Sequence, residues 1–330
     1  MPAAAIRFML PGYSNPEARA RAKVAKVNLQ STVTNPRNLE DCTYPLWQMT
    51  GNALVYDCHI FLVGPQHRLW FKRPESPPEP DSQLDEDIGN TSIDTATSAT
   101  STVPEKKTLE LVTDFAVTRL NYRRRPNTQG HHWDVIKARF QGVPILIENK
   151  RSASRRLKGY LYARDVEKYV NRARLDVMRQ AAFLFHMHPH QQSVVLIAAS
   201  GLFWSSLVVD RTAVMTPADA ADAYDPSADD SEDEGSESES EGEDDIEEVE
   251  GPLSSGDELD LIPRQREVIE PRAEVLFHPV QPVEAEDELV LPTTTWTGLL
   301  ELDTEASAQI FFMIHRRLLE VAADRTGANG

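Results

Sequence analysis

Pro144, Ile145, Leu146 and Ile147 run without interruption into Glu148, Asn149 and Lys150. An apolar, β-branched run opened by proline reads as a short buried strand, so its end is where a charge costs most. Side chains alternate along a strand, which puts Leu146, Glu148 and Lys150 on one face and Asn149 on the other. Such a strand fits a fold in which its charged end presents Glu148 and Lys150 together.

The flanking sequence supplies the remainder of a sheet. Residues 108–120 have strand composition, and residues 132–140 read as a weaker strand. The period then changes. Val166, Tyr169, Val170, Ala173, Val177, Ala181 and Leu184 step by three and four, which predicts an amphipathic helix over 165–187, stopped by Pro189. Residues 193–200 and 203–210 read as consecutive strands around Gly201 and Leu202. Upstream, 43–63 reads as a helix ending in a strand, with 67–72 following, and 305–324 reads as a last helix. The alternation is that of an α/β core.

The formal charge of -18 opposes nucleic-acid binding only until it is located. Residues 74–104 and 212–263 hold 27 of the 52 acidic residues and none of the 34 basic ones, so the other residues carry a net +9, a balance suited to phosphate. Both tracts, rich in Pro, Ser, Thr, Gly and acid, lack the apolar residues that offset ordering entropy and are expected to be disordered. The expected organisation is a partly disordered tail (1–38), a first helix and strand (39–73), an acidic insertion (74–107), a core (108–211), a second insertion (212–263) and a C-terminal strand and helix (264–330).

Asp114 lies inside the expected strand 108–120. If that strand neighbours 144–150, Asp114, Glu148 and Lys150 converge, and two carboxylates with one lysine suit phosphodiester hydrolysis: hard oxygens hold Mg²⁺, and the lysine orients the attacking water. A strand aspartate, an apolar strand ending E-x-K and a long following helix together resemble the PD-(D/E)XK nuclease superfamily over about residues 108–210. The whole chain also resembles an uncharacterised fungal type of that superfamily with acidic insertions. The resemblance implies a restriction-endonuclease-like mixed central sheet flanked by helices, with Asp114 and Glu148 as ligands for Mg²⁺ or Mn²⁺, Lys150 as the catalytic lysine and Gln180 as the helix glutamine near the site. Thr113 stands at the motif's proline, and polar Asn149 at a usually apolar position, so Asn149 needs a partner. Some members add an acid from the first helix, for which Glu40 and Asp41 are candidates; as acids beside a helix N-terminus they equally suit capping.

Arg151, Arg155, Arg156, Lys158, Lys168, Arg172 and Arg179 are the candidate nucleic-acid contacts, on DNA or RNA. The rival expectation is a catalytically inactive adaptor of the same fold that binds nucleic acid, or binds basic nuclear proteins through its acidic tract. Ser231, Ser236, Ser238 and Ser240 within that tract resemble acid-directed kinase sites. His186, His188 and His190 cluster at a helix end, where cations are favoured without any metal. Cys42 and Cys58 lack CxxC spacing and fit reduced core thiols. Arg7, Pro11 and Asn15 interrupt the apolar start, so no secretory signal or membrane span is expected, and the location read from this is the nucleus or cytoplasm.

Overall fold

A computed structural model describes residues 8–72, 108–124, 136–222 and 289–323. The apolar runs form strands β1 (Phe61–Lys72), β2 (Thr108–Arg124), β3 (Ile136–Lys150), β4 (Ser193–Ser200), β5 (Phe203–Asp210) and β6 (Leu300–Glu301). They pair in chain order into one six-stranded mixed sheet, in which only β3 and β4 are parallel. A parallel pair needs a crossover, and the amphipathic helix α3 (Tyr160–Met187) provides it, burying Val166, Val170, Ala173 and Val177 completely.

The register shows which layer covers each face. Asn149 pairs with Ala199 and Ala199 with Trp204, so these three share a face. Trp204 stacks on Phe311 of α5 (Glu305–Ala323) with ring centroids 4.1 Å apart, and lies 6.3 Å from Trp47 of α2 (Tyr44–Leu54). Ser205 points the other way and accepts a hydrogen bond of 2.8 Å from Arg174 of α3. The sheet is therefore sandwiched, with α3 on the face carrying Leu146 and Glu148, and α2 and α5 on the face carrying Asn149.

Several elements differ from expectation. Within the stretch read as a tail, Pro16–Gln30 form helix α1. Its Ala, Arg and Lys are good helix formers, Pro16 occupies the first turn, and the Asn15 side chain accepts from the Glu17 amide at 2.9 Å. Few of its residues are buried, Ala25 and Leu29 among them, so it lacks a strong apolar stripe. Helix α3 starts at Tyr160, earlier than expected, behind Gly159 at φ +58°. The weaker and stronger strands expected on either side of Gly142 are one strand, β3; the first residues of the weaker one, 132–135, lie outside the described residues. Its irregularity is concentrated at Gly142, where the register with β2 shifts; beside it the Gln191 side chain accepts from the Val143 amide at 3.0 Å and donates to the Val143 carbonyl at 2.6 Å.

The first expected insertion lies outside the described residues, as does the second from 223 onward. The start of the second is ordered rather than disordered: Pro217–Asp222 form a short helix, α4, with Ala220 buried and the Thr216 hydroxyl accepting from the Asp219 amide at 3.2 Å.

Candidate active site at a fork in the sheet

Strand β2 stays paired with β1 out to Thr108, and β3 stays paired with β4 out to Lys150, yet the β2–β3 ladder ends at Phe115 opposite Ile147. Beyond that rung the sheet forks. Asp114 and Glu148 are the next residues, one on each prong. Side chains replace the missing ladder: Asp114 Oδ2 accepts from the Asn149 amide at 2.7 Å, and the Thr113 hydroxyl donates to the Ile147 carbonyl at 3.0 Å. Thr113, at the motif's proline position, thus fastens the fork. The Asn149 side chain finds one partner for its polarity, its Nδ2 donating to the Thr43 hydroxyl just before α2, while its buried Oδ1 accepts no hydrogen bond.

Glu148 is buried with one hydrogen bond to each oxygen. Lys150 Nζ donates to Oε1 at 2.9 Å and Gln180 Nε2 donates to Oε2 at 2.7 Å, which joins the expected helix glutamine to the strand acid. Burial pushes the Glu148 carboxyl up to about 7, with Asp114 adding to the rise and Lys150 opposing it. Burial likewise pushes Asp114 to about 6, against the hydrogen bonds from Tyr44 and the Asn149 amide. Lys150, partly buried, rises above the ordinary lysine range because Glu148 and Asp176 outweigh its desolvation, so it stays protonated.

Two residues at the fork were not anticipated. Tyr44 donates its hydroxyl to Asp114 Oδ1 at 2.6 Å, and burial with neighbouring carboxylates raises its phenol well above the usual range, keeping it a donor. Asp176, one helical turn before Gln180 on α3, binds Lys150 Nζ at 2.8 Å and Arg179 at 3.2 Å. Spacing leaves a trace that by itself singles out neither: Asp176 stands four residues before Gln180, on one face of α3, and Tyr44 opens α2 four residues after Glu40.

Glu40 makes no side-chain capping bond, so the structure does not support capping as its role. Its Oε1 lies 3.3 Å from the Tyr44 hydroxyl, whose proton goes to the nearer Asp114, and Glu40 is close enough to Lys150 and Glu148 to feel both, with its carboxyl raised mainly by burial. Asp41 is exposed. Glu40, Asp114 and Glu148 do not close into a tight trio: among the described residues, the His, Cys, Asp and Glu side chains whose three ligand atoms all lie within 4.8 Å are those of Asp57, Cys58 and His315.

The basic residues divide by role. Arg155 donates to the carbonyls of Asn35 at 2.6 Å and Leu29 at 2.7 Å, tying the end of α1 to the segment after β3. Arg151 binds the Tyr169 hydroxyl at 2.7 Å, and Arg179 pairs with Asp176. Arg156, Lys158 and Lys168 are exposed, and Arg172 is half-buried. A groove of about 520 Å³ bordered by Leu157, Arg164, Asp165 and Lys168 contains none of the fork residues. His186 packs edge-on to Phe71 and His188 lies against Phe140, and His186, His188 and His190 form no ligand trio among the described residues.

No helix among the described residues is long and apolar enough to cross a membrane. No family model, curated protein or solved structure matches the chain.

Proposed function

We propose that the protein is a metal-dependent nuclease of PD-(D/E)XK type with a restriction-endonuclease-like core, hydrolysing phosphodiester bonds of DNA or RNA. The observation that carries this reading is the fork, where the β2–β3 ladder ends and Asp114, Glu148 and Lys150 come together on its two prongs.

The donor set fits Mg²⁺ or Mn²⁺. Asp114 and Glu148 offer hard oxygens, each oxygen carrying one hydrogen bond and so retaining a lone pair. When bound, the ion neutralises phosphate charge and lowers the pKa of a water. The chain's own residues do the rest. Tyr44 and the Asn149 amide fix Asp114, and Gln180 fixes Glu148. Lys150 supplies a lasting positive charge to orient water and to meet charge developing on phosphate. Asp176 positions that lysine from α3. Arg156, Lys158 and Lys168 offer exposed positive charge to a nucleic-acid backbone.

A second reading, the inactive adaptor, is favoured by the closure of Lys150 between two carboxylates, Glu148 and Asp176, since such a network also suits a purely structural ion cluster. One assay separates them: cleavage of single- and double-stranded DNA and RNA by the full chain with Mg²⁺, Mn²⁺ or chelator. The nuclease reading expects metal-dependent cleavage that falls about 10²–10³-fold in Lys150→Ala. It falls also in Asp114→Asn, there partly restored by excess Mn²⁺ because the defect is in holding the ion. Binding of these substrates without cleavage by the wild-type chain would leave the adaptor.

A further inference from the structure

Asp57, Cys58 and His315 form a second cluster that shares no residue with the fork. Asp57 and Cys58 lie in the turn between α2 and β1, held by the Cys58 amide to the Val55 carbonyl at 2.9 Å and the Phe61 amide to the Cys58 carbonyl at 3.0 Å. His315 projects from the middle of α5, buried, with Nδ1 at 2.9 Å from the Leu54 carbonyl. A carbonyl only accepts, so Nδ1 is the N–H donor and Nε2 is left to face Asp57 Oδ2 at 3.4 Å. A neutral imidazole would then set one lone pair against another, and a proton or a cation must lie between them.

We propose that Asp57, Cys58 and His315 bind a zinc ion that clamps α5 to the α2–β1 turn. A tetrahedral site with bonds of about 2.0–2.3 Å separates its ligand atoms by roughly 3.3–3.7 Å. Asp57 Oδ2 lies 3.4 Å from His315 Nε2 and the other Asp57 oxygen, Oδ1, lies 3.6 Å from Cys58 Sγ; one ligand atom from each residue already lies within 4.8 Å of the other two, so a small turn of the half-exposed carboxylate brings a single oxygen to that spacing from both partners. A mixed N, S and O donor set suits zinc and is poor for Mg²⁺ or Ca²⁺. The Leu54 carbonyl supplies the outer bond that fixes the tautomer and aim of a ligating histidine. Binding releases the Cys58 thiol proton to solvent, and one thiolate with one carboxylate balances the dication, so the partly buried site is formally neutral. The Asp57 side chain is 51 % exposed, which leaves the fourth position to water.

The test is titration of the full chain with Co²⁺ as a spectroscopic stand-in for zinc. One equivalent is expected to give a thiolate-to-cobalt charge-transfer band that Zn²⁺ bleaches, that survives Cys42→Ser, and that vanishes in Cys58→Ser and His315→Asn. Zn²⁺ is expected to raise the thermal midpoint of the wild-type chain and not of those variants. Should either buried variant fail to fold, Asp57→Ala, altering a half-exposed side chain, keeps the question answerable: it should weaken Co²⁺ binding by more than the about 10–100-fold that loss of an outer partner costs. A wild-type chain without the band, or a band retained in Cys58→Ser, overturns the proposal and leaves an ordinary Asp57–His315 ion pair. Cobalt held by the oxygens of the fork gives no thiolate band, so neither outcome bears on the nuclease reading.

Discussion

Asp114 and Glu148 are carboxyls that the fold holds in a form they do not prefer. Their ordinary values are 3.8 and 4.5, and burial moves them to about 6 and about 7. Below the ordinary values both carboxyls are protonated whether the chain is folded or not. Between those values and about 7 the folded chain retains protons that the unfolded chain has released, so stability falls as pH rises through this window, and above it the cost is complete. The metal-free protein should therefore show a thermal midpoint that declines between about pH 4 and 7 from this pair, and Glu148→Gln, which cannot ionise, should flatten the decline. A midpoint in Glu148→Gln that tracks the wild type across the window would remove Glu148 as its source. Glu148 and Lys150 were legible in the sequence because a period of two leaves charge at the end of an apolar strand no neutral explanation. Tyr44 and Asp176 were not, since a tyrosine or aspartate on a helix flank is ordinary, and only the fork gives either one a carboxylate or a lysine to bind.

The fork is a property of three strands and a turn. Gly201, in the β4–β5 hairpin, donates its amide to the Lys150 carbonyl at 3.3 Å, accepts from Trp47 Nε1 at 3.0 Å and sits at φ +59°. A Cβ there would lie 2.9 Å from Ser152 Cβ and 3.3 Å from its Cα. Gly201→Ala should thus lose more than about 1 kcal/mol in urea denaturation and, by displacing the backbone after Lys150, reduce any cleavage. Gly64→Ala on β1, where a Cβ meets nothing within 4 Å, is the matched control and should be near neutral. Equal losses in the two variants would detach the hairpin from the fork. At this scale, strands β4 and β5 and helices α3 and α5 were readable from period and composition, because each buries a continuous apolar face. Helix α1 was not, because propensity and a cap rather than an apolar stripe specify it. The unity of β3 was hidden by Gly142 and Pro144, whose irregularity the Gln191 side chain absorbs from a distance in sequence that no local pattern reveals.

Across the whole molecule, charge is segregated along the chain. Residues 225–250 carry 15 acidic side chains and no basic ones, while the chain outside the two acidic tracts carries a net +9. A polyanion tethered to a cationic surface competes for it at high effective concentration, displacing a nucleic acid whose affinity rests on phosphate contacts and released counterions. The stretch begins after α4 ends at Asp222, so its removal spares every described element. Deleting 225–250 should therefore leave the thermal midpoint unchanged and tighten binding to a DNA or RNA duplex at low salt. The gain should shrink as salt rises, since screening shortens from about 10 Å at 0.1 M to about 3 Å at 1 M and weakens tract and ligand alike. The measurement is a binding series over salt for the intact and deleted chains, in chelator so that cleavage does not interfere. Tighter binding that converges with the intact chain at high salt marks the tract as a restraint on the cationic surface. Parallel lines at every salt would mean that it acts on something other than charge, and coincident lines that it does not touch this surface at all.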